Sequence, residues 1–519
     1  MKQSRFIRWN KTLHKWPAVV IAFFAILFAL SGIVLNHRDF FSSFNISRKL
    51  MPPGYQYKNW NLAGVRSSLY LNDDSVLIYG NTGIWLSNNQ FTSISDFNSG
   101  FPAGIDKRKI YTLICYGNKL LAATHFGLYA TEMNRPAWTK ISLPVKEDRL
   151  TDLTIKDDTL IILSRHLLMK TTDLSRFEPI LLPSPEGYEK KTGLFNTLWE
   201  LHSGELFGKI GIYTVDTLGF VVILLSVTGL LHFFFPGWIR RRKKRLNSAG
   251  QLAHTARLNL KWHNVVGYIF VLFLIINTTA GIFLRPPLLI PIANKQVGVI
   301  PYTHLDQDNP WFDKLRRVSW NDSLGIYLFS TSEGFYVSDE TLNQPLIPAP
   351  SQPPVSIMGC NVLEQTGKDS YIVGSFTGLY LWKISSGAVM DFFSGEATEQ
   401  VSHTGRPISD HMVAGWIAFP GGKHWWFDYN KGAVALPGTG QFPEMTTEVI
   451  RKTPISLWNA ALEIHTGRIF EHLVGPFYIL FVPLAGICLI LVLFSGFFVW
   501  WKLHRKRVTK PVSGTTSKV

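Results

Sequence analysis

Four uncharged apolar stretches are long enough to cross a lipid bilayer, and they constrain the fold of this chain more than any other feature. A membrane-spanning helix needs about 20 apolar residues, and every stretch meets that length. They are Pro17–Asn36, Thr217–Ile239, Asn264–Leu284 and Leu473–Trp501. The first is too long for a typical signal-peptide core and has a counterpart in the third, so we interpret it as an uncleaved helix. The sequence therefore predicts a bundle of four membrane helices.

The chain is a tandem duplication, and each copy carries a histidine at both membrane edges of its paired helices. The first helices of the two copies align at an offset of 249, and the second helices at an offset of 263. The aligned segments are 9–36 with 258–285, and 198–208 with 461–471. The aligned histidines are His14 with His263, and His202 with His465. These two symmetric pairs are the candidate functional residues.

Positive charge is confined to three segments of the chain. These segments are 1–16, 239–263 and 502–519, which hold 5, 8 and 6 Lys/Arg and no Asp or Glu. Together they contribute a charge of +19. Because the whole chain has a net charge of +16, the remainder has a net charge of −3. Basic residues confined to alternate loops mark the cytoplasmic side of a membrane protein. Both termini are therefore predicted to be cytoplasmic, and the long loops at roughly 38–208 and 286–470 to be exported. A lipid bilayer explains the charge, and nucleic acid is not an expected partner.

Each exported loop contains an inner repeat in which an apolar strand, a turn at glycine and an aromatic-rich strand follow one another. The repeated segments are 76–87 and 120–131 in the first loop, and 326–338 and 370–382 in the second. Their glycines, 44 residues apart in each loop, are Gly83 and Gly127, then Gly334 and Gly378. A period of about 40–50 residues is typical of a propeller blade. Degenerate third copies at 158–173 and 412–436 predict six blades, three per loop; two separate curved sheets are the alternative.

The predicted fold class is therefore membrane α plus β: a four-helix bundle from a tandem duplication, with two exported β-rich loops forming a propeller-like domain. The segments are helix 1 with a cytoplasmic N-terminus (1–37), a β-rich half-propeller (38–197), helix 2 (198–239), a basic cytoplasmic loop (240–262), helix 3 (263–285), a second half-propeller (286–457), helix 4 (458–501) and a basic cytoplasmic tail (502–519).

Three cysteines limit covalent cofactor chemistry. No CxxC or CxxCH motif occurs, which argues against c-type haem attachment and cysteine metal sites. Cys115 and Cys360 both lie in the exported loops; a disulfide is one possibility, and two buried thiols in related strands is the favoured one. Cys488 lies within the fourth apolar stretch and is assigned to packing.

The paired histidines are suited to metal ligation. Inward-facing imidazoles in a helix bundle can hold a metal cofactor, and histidine is a standard axial ligand of haem. A single membrane-edge histidine is better explained as an interfacial anchor, but two repeat-related pairs favour ligation. A small residue followed by glycine recurs in all four helices and leaves room for a flat ring. These are Ser31-Gly32, Thr228-Gly229, Ala280-Gly281 and Ser495-Gly496.

Other ionisable residues near the helices are weaker candidates. His37 and His232 have no histidine at the repeat-related position, so we interpret both as anchors and keep His37 as a reserve outer ligand. His472 and His504 have no repeat-related partner either. Asp216 lies just inside the second helix, where a proton-transfer role is one interpretation and a structural hydrogen bond is the favoured one.

At the paired histidines the sequence resembles the PepSY-associated transmembrane (PepSY-TM) family. The matching motifs are LHKW (13–16) with SG at 31–32, KWHNVVG (261–267) with AG at 280–281, LHSG (201–204) with TG at 228–229, and IHTG (464–467) with SG at 495–496. The family includes bacterial inner-membrane reductases that bind two b-type haems and reduce ferric siderophores in the periplasm. The resemblance implies that His14, His202, His263 and His465 are haem ligands. The exported loops differ from the family pattern, because blade-like repeats stand where a PepSY domain is usual.

The resulting hypothesis is transmembrane electron transfer through two b-type haems, an oxidoreductase activity resembling ferric-siderophore reduction. Electrons would pass from an unidentified cytoplasmic or membrane donor to a periplasmic ferric chelate. The rival hypothesis is a haem-free, membrane-tethered propeller that binds a periplasmic protein, peptide or polysaccharide. A carrier that serves a quinone, copper or an oxidised protein is a third. No Ser-His-Asp set, HExxH, P-loop or GxGxxG in a strand–helix setting supports hydrolytic or nucleotide chemistry.

Overall fold

The chain divides into a helical unit and a sheet unit. The computed structural model describes residues 2–133, 135–145, 149–245, 248–355, 359–398, 409–419 and 423–508. The helical unit consists of Met1–Phe41, Lys190–Asp306 and Trp458–Val519, and the sheet unit of Ser42–Glu189 and Gln307–Leu457. Most of the predicted cytoplasmic tail, from residue 509 onward, and the side chain of His504 lie outside the described residues.

In the described part of the chain, six helices of nine or more residues build the helical unit. They are α1 (Lys2–Asn36), α2 (Leu194–Ser203), α3 (Gly208–Lys244), α4 (Gly250–Ile282), α5 (Leu457–His465) and α6 (Phe481–Val508). Four segments are long and apolar enough to cross a membrane: Arg5–Asn36, Glu205–Lys244, Gly250–Ile282 and Arg468–Leu503. The predicted four membrane helices are confirmed, and the chain is an integral membrane protein.

The four long helices pack into one bundle. Helix α1 packs against α3 and α6, and α4 packs against the same two helices. Leu218, Val221 and Leu274 form a buried cluster between α3 and α4. Large apolar side chains such as Phe23 and Leu272 remain 62% exposed on the outside of the bundle. A membrane-spanning helix forms its backbone hydrogen bonds internally and turns apolar side chains to lipid. In a bilayer, hydrocarbon would therefore surround these side chains.

The second and fourth membrane segments begin differently from the sequence prediction. Helices α2 and α5 each end in a turn at a left-handed glycine, Gly204 with φ 87° and Gly467 with φ 73°. A Cβ on Gly204 would lie 2.3 Å from the carbonyl oxygen of Gly211, so this close turn requires glycine. His202 and His465 therefore stand on separate short helices, rather than on the outer ends of the membrane helices as the sequence predicted.

Six antiparallel sheets, numbered in chain order over the described residues, build the sheet unit. From the first loop come sheet 1 (Ser67–Asn72, Ser75–Gly80, Gly83–Asn88, Ile94–Asp96), sheet 2 (Ile110–Tyr116, Lys119–Thr124, Gly127–Glu132, Arg135–Ile141) and sheet 3 (Leu150–Lys156, Thr159–Ser164, Leu168–Thr171, Glu178–Ile180). From the second come sheet 4 (Leu315–Asn321, Ile326–Thr331, Gly334–Asp339, Ile347–Pro348), sheet 5 (Val362–Gln365, Ser370–Ser375, Gly378–Lys383, Ala388–Asp391) and sheet 6 (Val413–Ala418, His424–Asp428, Gly432–Ala435). Short elements are the paired strands Asn45–Ile46 with Ile455–Ser456 and Lys191–Gly193 with Gln296–Gly298, and the helices Arg38–Phe41, Thr447–Lys452 and Glu471–Val474.

The repeated glycines start the third strand of four sheets. Gly83, Gly127, Gly334 and Gly378 each pair with the last residue of the preceding strand across a two-residue hairpin. All four have positive φ, between 97° and 144°, a conformation that glycine adopts without the steric cost of a Cβ. The 44-residue period therefore marks the same hairpin in consecutive blades.

The six sheets form a closed ring. Each pair of consecutive sheets shares a cluster of buried apolar side chains, and one of these clusters joins sheet 6 to sheet 1. The closing cluster contains Trp85 of sheet 1 with Trp425 and Phe427 of sheet 6. Just before sheet 1, the Asn59 carbonyl accepts from the Ala433 amide at 2.7 Å and its side chain donates to the Ala433 carbonyl at 2.9 Å. The predicted six-bladed propeller, three blades per loop, is confirmed.

Aromatic side chains of the repeated strands pack between the blades. Trp85, Tyr129 and Tyr380 are buried in the clusters between blades. Cys115 and Cys360 are free thiols in blades 2 and 5, so the thiol interpretation holds and the disulfide does not form. Burial raises the pKa of both thiols, which keeps them protonated and unreactive.

Asp152 ties three blades together at the centre of the ring. Its buried carboxylate accepts hydrogen bonds from Thr112 Oγ1 of blade 2 at 2.5 Å, from Arg317 Nε of blade 4 at 2.6 Å and from the Val318 amide at 3.0 Å. Burial acts to lower the pKa of Arg317, but the adjacent Asp152 carboxylate raises it above its ordinary value. The propeller therefore depends on a largely buried, hydrogen-bonded charge pair.

We expect Asp152→Ala to lower the free energy of unfolding of the propeller by about 3–5 kcal/mol, because it leaves a largely buried guanidinium without its counter-charge. The exposed Asp158→Ala, in the same blade, is the matched control and should stay within about 0.5 kcal/mol of the wild type. Denaturant unfolding of the full chain in detergent, followed by near-ultraviolet circular dichroism, measures the difference. Equal stability of the two variants would contradict this role of Asp152.

Candidate functional site

The four histidines identified by the duplication lie in two pairs within the helical unit. The ring centroids of His14 on α1 and His263 on α4 are 6.2 Å apart. Those of His202 on α2 and His465 on α5 are 5.9 Å apart. The structure thus brings together the same pairs that the symmetry of the two copies predicted.

Three of these imidazoles donate the Nδ1 hydrogen to a backbone carbonyl of a neighbouring helix. The acceptors are Val492 for His14 (2.9 Å), Asn277 for His202 (3.0 Å) and Phe28 for His465 (3.0 Å). A carbonyl oxygen can only accept, so the ring proton is on Nδ1 and the neutral ring keeps its lone pair on Nε2. These three histidines are therefore held with a ligand-competent nitrogen free.

Two of the rings also meet a hydroxyl group from a small residue that precedes a glycine. Thr228 Oγ1 lies 2.9 Å from His263 Nδ1 and donates its own hydrogen to the Leu224 carbonyl at 2.6 Å. Ser31 is placed in the same way against His465. Because each hydroxyl uses its one hydrogen on its own helix, it accepts from the imidazole, which fixes the same tautomer.

Glycine allows each ring to lie close against a helix backbone. A Cβ built on the glycine of each small-glycine pair would meet the Cε1 atom of one imidazole. The distances are 2.6 Å for Gly281 and His202, 2.8 Å for Gly496 and His14, 3.2 Å for Gly32 and His465, and 3.5 Å for Gly229 and His263. For His14, His202 and His465 the carbonyl that accepts from Nδ1 lies four residues before this glycine. For His263 the acceptor is the Thr228 hydroxyl, directly before Gly229. We call this arrangement of acceptor, glycine and imidazole the histidine seat.

The spacing of the rings within each pair fits two ligands of one metal ion. A metal held by two imidazole nitrogens, each about 2 Å away, separates the ring centroids by roughly 6 Å, as found in both pairs. Among the residues that the structure describes, no group of three or more His, Cys, Asp or Glu side chains converges. Two imidazoles can supply two positions of a metal whose other positions a cofactor fills, as in haem.

The two pairs lie at different depths of the bundle. His465 reaches α1 at Phe28 and Gly32, which are 14 and 18 residues beyond His14 on the same helix. At 1.5 Å per residue, roughly 21–27 Å of helix axis separates the pairs. This is close to the hydrocarbon thickness of a bilayer, about 30 Å, so the pairs stand near opposite membrane edges.

The weaker candidates His37 and Asp216 are hydrogen-bonded to each other. His37 Nε2 lies 2.7 Å from Asp216 Oδ2, and the Asn36 side chain donates to Asp216 Oδ1 at 2.8 Å. Asp216 is thus buried with both oxygens hydrogen-bonded, in agreement with the structural interpretation. His37 and His232 join neither histidine pair.

Two buried carboxylates beside the pair of His202 and His465 were missed in the sequence analysis. Glu200 Oε1 lies 3.1 Å from His304 Nδ1, and Glu463 accepts two hydrogen bonds from Arg468, at 2.6 and 2.5 Å. Both acids stand two residues before a paired histidine, in ELHSG and EIHTG. That shared position, two residues before a paired histidine, is the sequence signal that marks these two acids.

Comparison with known proteins finds a family match around α2, α3 and α4. The family model described as the PepSY-associated TM region matches residues 180–310. This range contains α2, α3 and α4, and with them His202 and His263. No curated protein matches the sequence at a significant level.

Solved structures resemble the chain only distantly. An extracellular domain of a putative one-component system, BT4673 from B. thetaiotaomicron, has 9% identity and a TM-score of 0.32 over 73% of this chain and 39% of its own. A protein of unknown function from Bacteroides thetaiotaomicron has 8% identity and a TM-score of 0.34 over 71% and 68%. YCF48 bound to D1 peptide has 7% identity and a TM-score of 0.33 over 74% and 96%. The chain thus spans well under half of the first of these, and likenesses this weak carry no argument about fold or function.

Proposed function

We propose that the chain belongs to the PepSY-associated transmembrane family, whose model matches residues 180–310, and that it transfers electrons across a bacterial inner membrane to a periplasmic acceptor. The single observation that carries the proposal is the set of four histidine seats. Each seat presents a neutral imidazole with Nε2 free, and the seats lie in two pairs with the ring spacing of a shared metal.

His14 and His263 would hold one b-type haem, called here the inner haem. His202 and His465 would hold a second, the outer haem. Each haem, when bound, supplies a one-electron redox centre. The protein holds the rings in place before any cofactor binds. The Nδ1 hydrogen bonds orient the imidazoles and raise the basicity of Nε2, as such partners do for metal-ligating histidines. No side chain at either pair is proposed to act as a catalytic acid or base.

The distribution of charge supports an orientation in the membrane. The basic N-terminal segment and the basic end of α3, including Arg240–Arg245, would face the cytoplasm. The pair of His14 and His263 would then stand on the side of an unidentified cytoplasmic or membrane donor. The pair of His202 and His465 would stand on the periplasmic side, where the two large loops emerge.

A ferric chelate such as a ferric siderophore is the acceptor we propose. Hard oxygen donors bind Fe(III) strongly and Fe(II) much less well, so one electron weakens the complex and makes the iron exchangeable. The reaction is balanced by one electron taken from the donor for each Fe(III) reduced, and no bond to the protein forms. The proposed activity is that of an oxidoreductase in iron uptake.

The visible spectrum of the full chain tests the proposal. Protein purified in detergent from haem-replete cells is expected to bind two b-type haems per chain, which dithionite reduces. Addition of a ferric hydroxamate chelate should then reoxidise the haems, with the Fe(II) formed trapped by ferrozine. Reoxidation by a quinone or a copper salt, but not by the chelate, would support electron transfer through the haems and refute the ferric chelate as the acceptor.

A colourless, well-folded preparation would overturn the proposal. It would instead favour a haem-free propeller, tethered to the membrane, that binds a periplasmic protein, peptide or polysaccharide. Folding is checked in the same sample by circular dichroism of the β-rich sheet unit.

A further inference from the structure

Arg285 lies beside both histidines of the pair that would hold the outer haem. It stands four residues after Gly281, the glycine against which the His202 ring packs, and three residues past the end of α4. Its Nη2 donates a hydrogen bond to the Thr466 carbonyl at 3.2 Å, and Thr466 directly follows His465. One arginine therefore reaches from the helix that seats one imidazole to the residue next to the other.

The positive charge of Arg285 has no ion-pair partner among the described side chains. Its one side-chain hydrogen bond there is the bond to a neutral carbonyl. Glu463 is near enough for its charge to act on Arg285, but it accepts two hydrogen bonds from Arg468. Glu200 Oε1 lies 3.1 Å from His304 Nδ1. Both acids beside this histidine pair thus have closer partners than Arg285.

The charge of Arg285 is partly shielded from solvent. The residue is partly buried, and burial is the main cause that lowers its pKa from the ordinary value. The guanidinium remains charged even so, because an arginine side chain does not lose its proton in proteins. Water and salt screen such a charge less than an exposed one. Burial also lowers the pKa of His465, and the positive charge of Arg285 adds to that lowering. The charge therefore acts on an imidazole that would ligate the outer haem.

The duplication separates the need for this charge from the need for packing. The repeat-related residue of Arg285 is Asn36, at the offset of 249. Asn36 likewise stands four residues after a seat glycine, Gly32, and its amide donates to Asp216 Oδ1 at 2.8 Å. The same position thus holds a neutral side chain in the other copy, so a histidine seat does not require a positive charge there.

The pair that would hold the inner haem lacks this charge at the equivalent positions. Four residues after the glycines that seat His14 and His263 stand Trp500 and Phe233, both uncharged. Lys15, next to His14, is exposed, so water and salt screen its charge. The electrostatic surroundings of the two pairs therefore differ.

We propose that Arg285 raises the reduction potential of the outer haem relative to that of the inner haem, and so favours electron transfer toward the periplasmic side. A ferric haem carries one more positive charge than a ferrous haem, so a nearby partly buried cation disfavours the ferric form. Loss of this charge should lower the equilibrium constant for reduction of the outer haem about tenfold, or ~59 mV for a one-electron centre. This role rests on the proposed function and adds no electron or proton to its balance.

Potentiometric titration of the visible spectrum, with the full chain in detergent, tests this role. His14→Ala is expected to keep only the outer haem and His202→Ala only the inner one, so each background reports one potential. Arg285→Asn, which copies the repeat-related residue, should lower the outer-haem potential by ~59 mV and leave the inner-haem potential unchanged. Arg285→Lys keeps the charge and should stay close to the unsubstituted background. Lys295→Asn removes an exposed cation from the same unit and is the matched control, with both potentials unchanged.

Other results would overturn the role of Arg285. Equal outer-haem potentials in Arg285→Asn and Lys295→Asn would do so, as would an equal fall in Arg285→Lys, since charge would then not be the cause. If Arg285→Asn loses the outer haem, Arg285→Gln supplies a second neutral variant. Loss of the haem in both would show that Arg285 holds the site together and does not tune it. A colourless wild type would refute the proposed electron transfer and this role with it, whereas unchanged potentials in a two-haem protein would refute this role alone.

Discussion

His202→Ala and His465→Ala are each expected to remove the outer haem and leave the inner one in place. Either change deletes one of two axial ligands, and the remaining imidazole alone does not form the bis-histidine site. The Soret and α-band absorbance per polypeptide should fall by about half, since one of two sites is lost. His14→Ala and His263→Ala should remove the other half, and the double variant of His14 and His202 should be colourless.

His472→Ala is the control for these variants. His472 lies shortly after the IHTG motif (464–467), but its Nδ1 is hydrogen-bonded to the Ile469 carbonyl at 2.7 Å and the residue is exposed. Its replacement should leave the spectrum unchanged. Full haem content in all four single variants of the paired histidines would show that these residues are not the ligands, and the proposed function would fall with them.

Gly281→Ala is expected to displace His202 and to abolish the outer haem without unfolding the protein. The new Cβ would lie 2.6 Å from Cε1, 2.9 Å from Nδ1 and 3.3 Å from Nε2 of the imidazole. Since Nδ1 is bonded to the Asn277 carbonyl, the ring cannot retreat and keep that bond. Absorbance should fall by about half, as for loss of a ligand, while the helix gains up to about 1 kcal/mol from the exchange of glycine for alanine.

Gly267→Ala on the same helix is the matched control. Its Cβ would meet only Leu225 Cδ2 at 3.7 Å, an ordinary van der Waals contact, so it should keep both haems and share the gain in helix stability. The four seats also form a graded series: alanine should be most harmful at Gly281, then at Gly496 and Gly32, and nearly neutral at Gly229. Equal haem content in Gly281→Ala and Gly267→Ala would show that the ring does not depend on its seat.

Much of the architecture could be predicted because it repeats. The 249-residue offset that relates His14 to His263 implied a symmetric bundle, and two-fold symmetry pairs residues at equal depth. The 44-residue spacing of Gly83 and Gly127 implied blades, because a positive-φ hairpin must recur at the same place in each. Both features follow from the repeats, without the identity of any distant contact.

Other features escaped the sequence analysis. The break between α2 and α3 escaped it because LHSGELFG continues the apolar helical pattern, and only the left-handed φ of Gly204 shows that the chain turns there. The small-glycine pairs were predicted to admit a flat ring between helices, but their acceptor carbonyls on the partner helix were not foreseen. The pairing of Arg317 with Asp152 was not foreseen, since the two residues lie on different blades, 165 positions apart.

The sequence by itself determined the four spans, the doubling of the chain and the six blades, because each follows from local periodicity and from repeats that read the same in any context. Only the tertiary structure decided that Nδ1 of His202 meets the carbonyl of Asn277, that Gly281 seats its ring, and that Arg317 pairs with Asp152 of another blade. These contacts join residues 75 or more positions apart. They depend on how helices and blades pack in space, which is set by the shapes of many side chains at once and has no period along the chain.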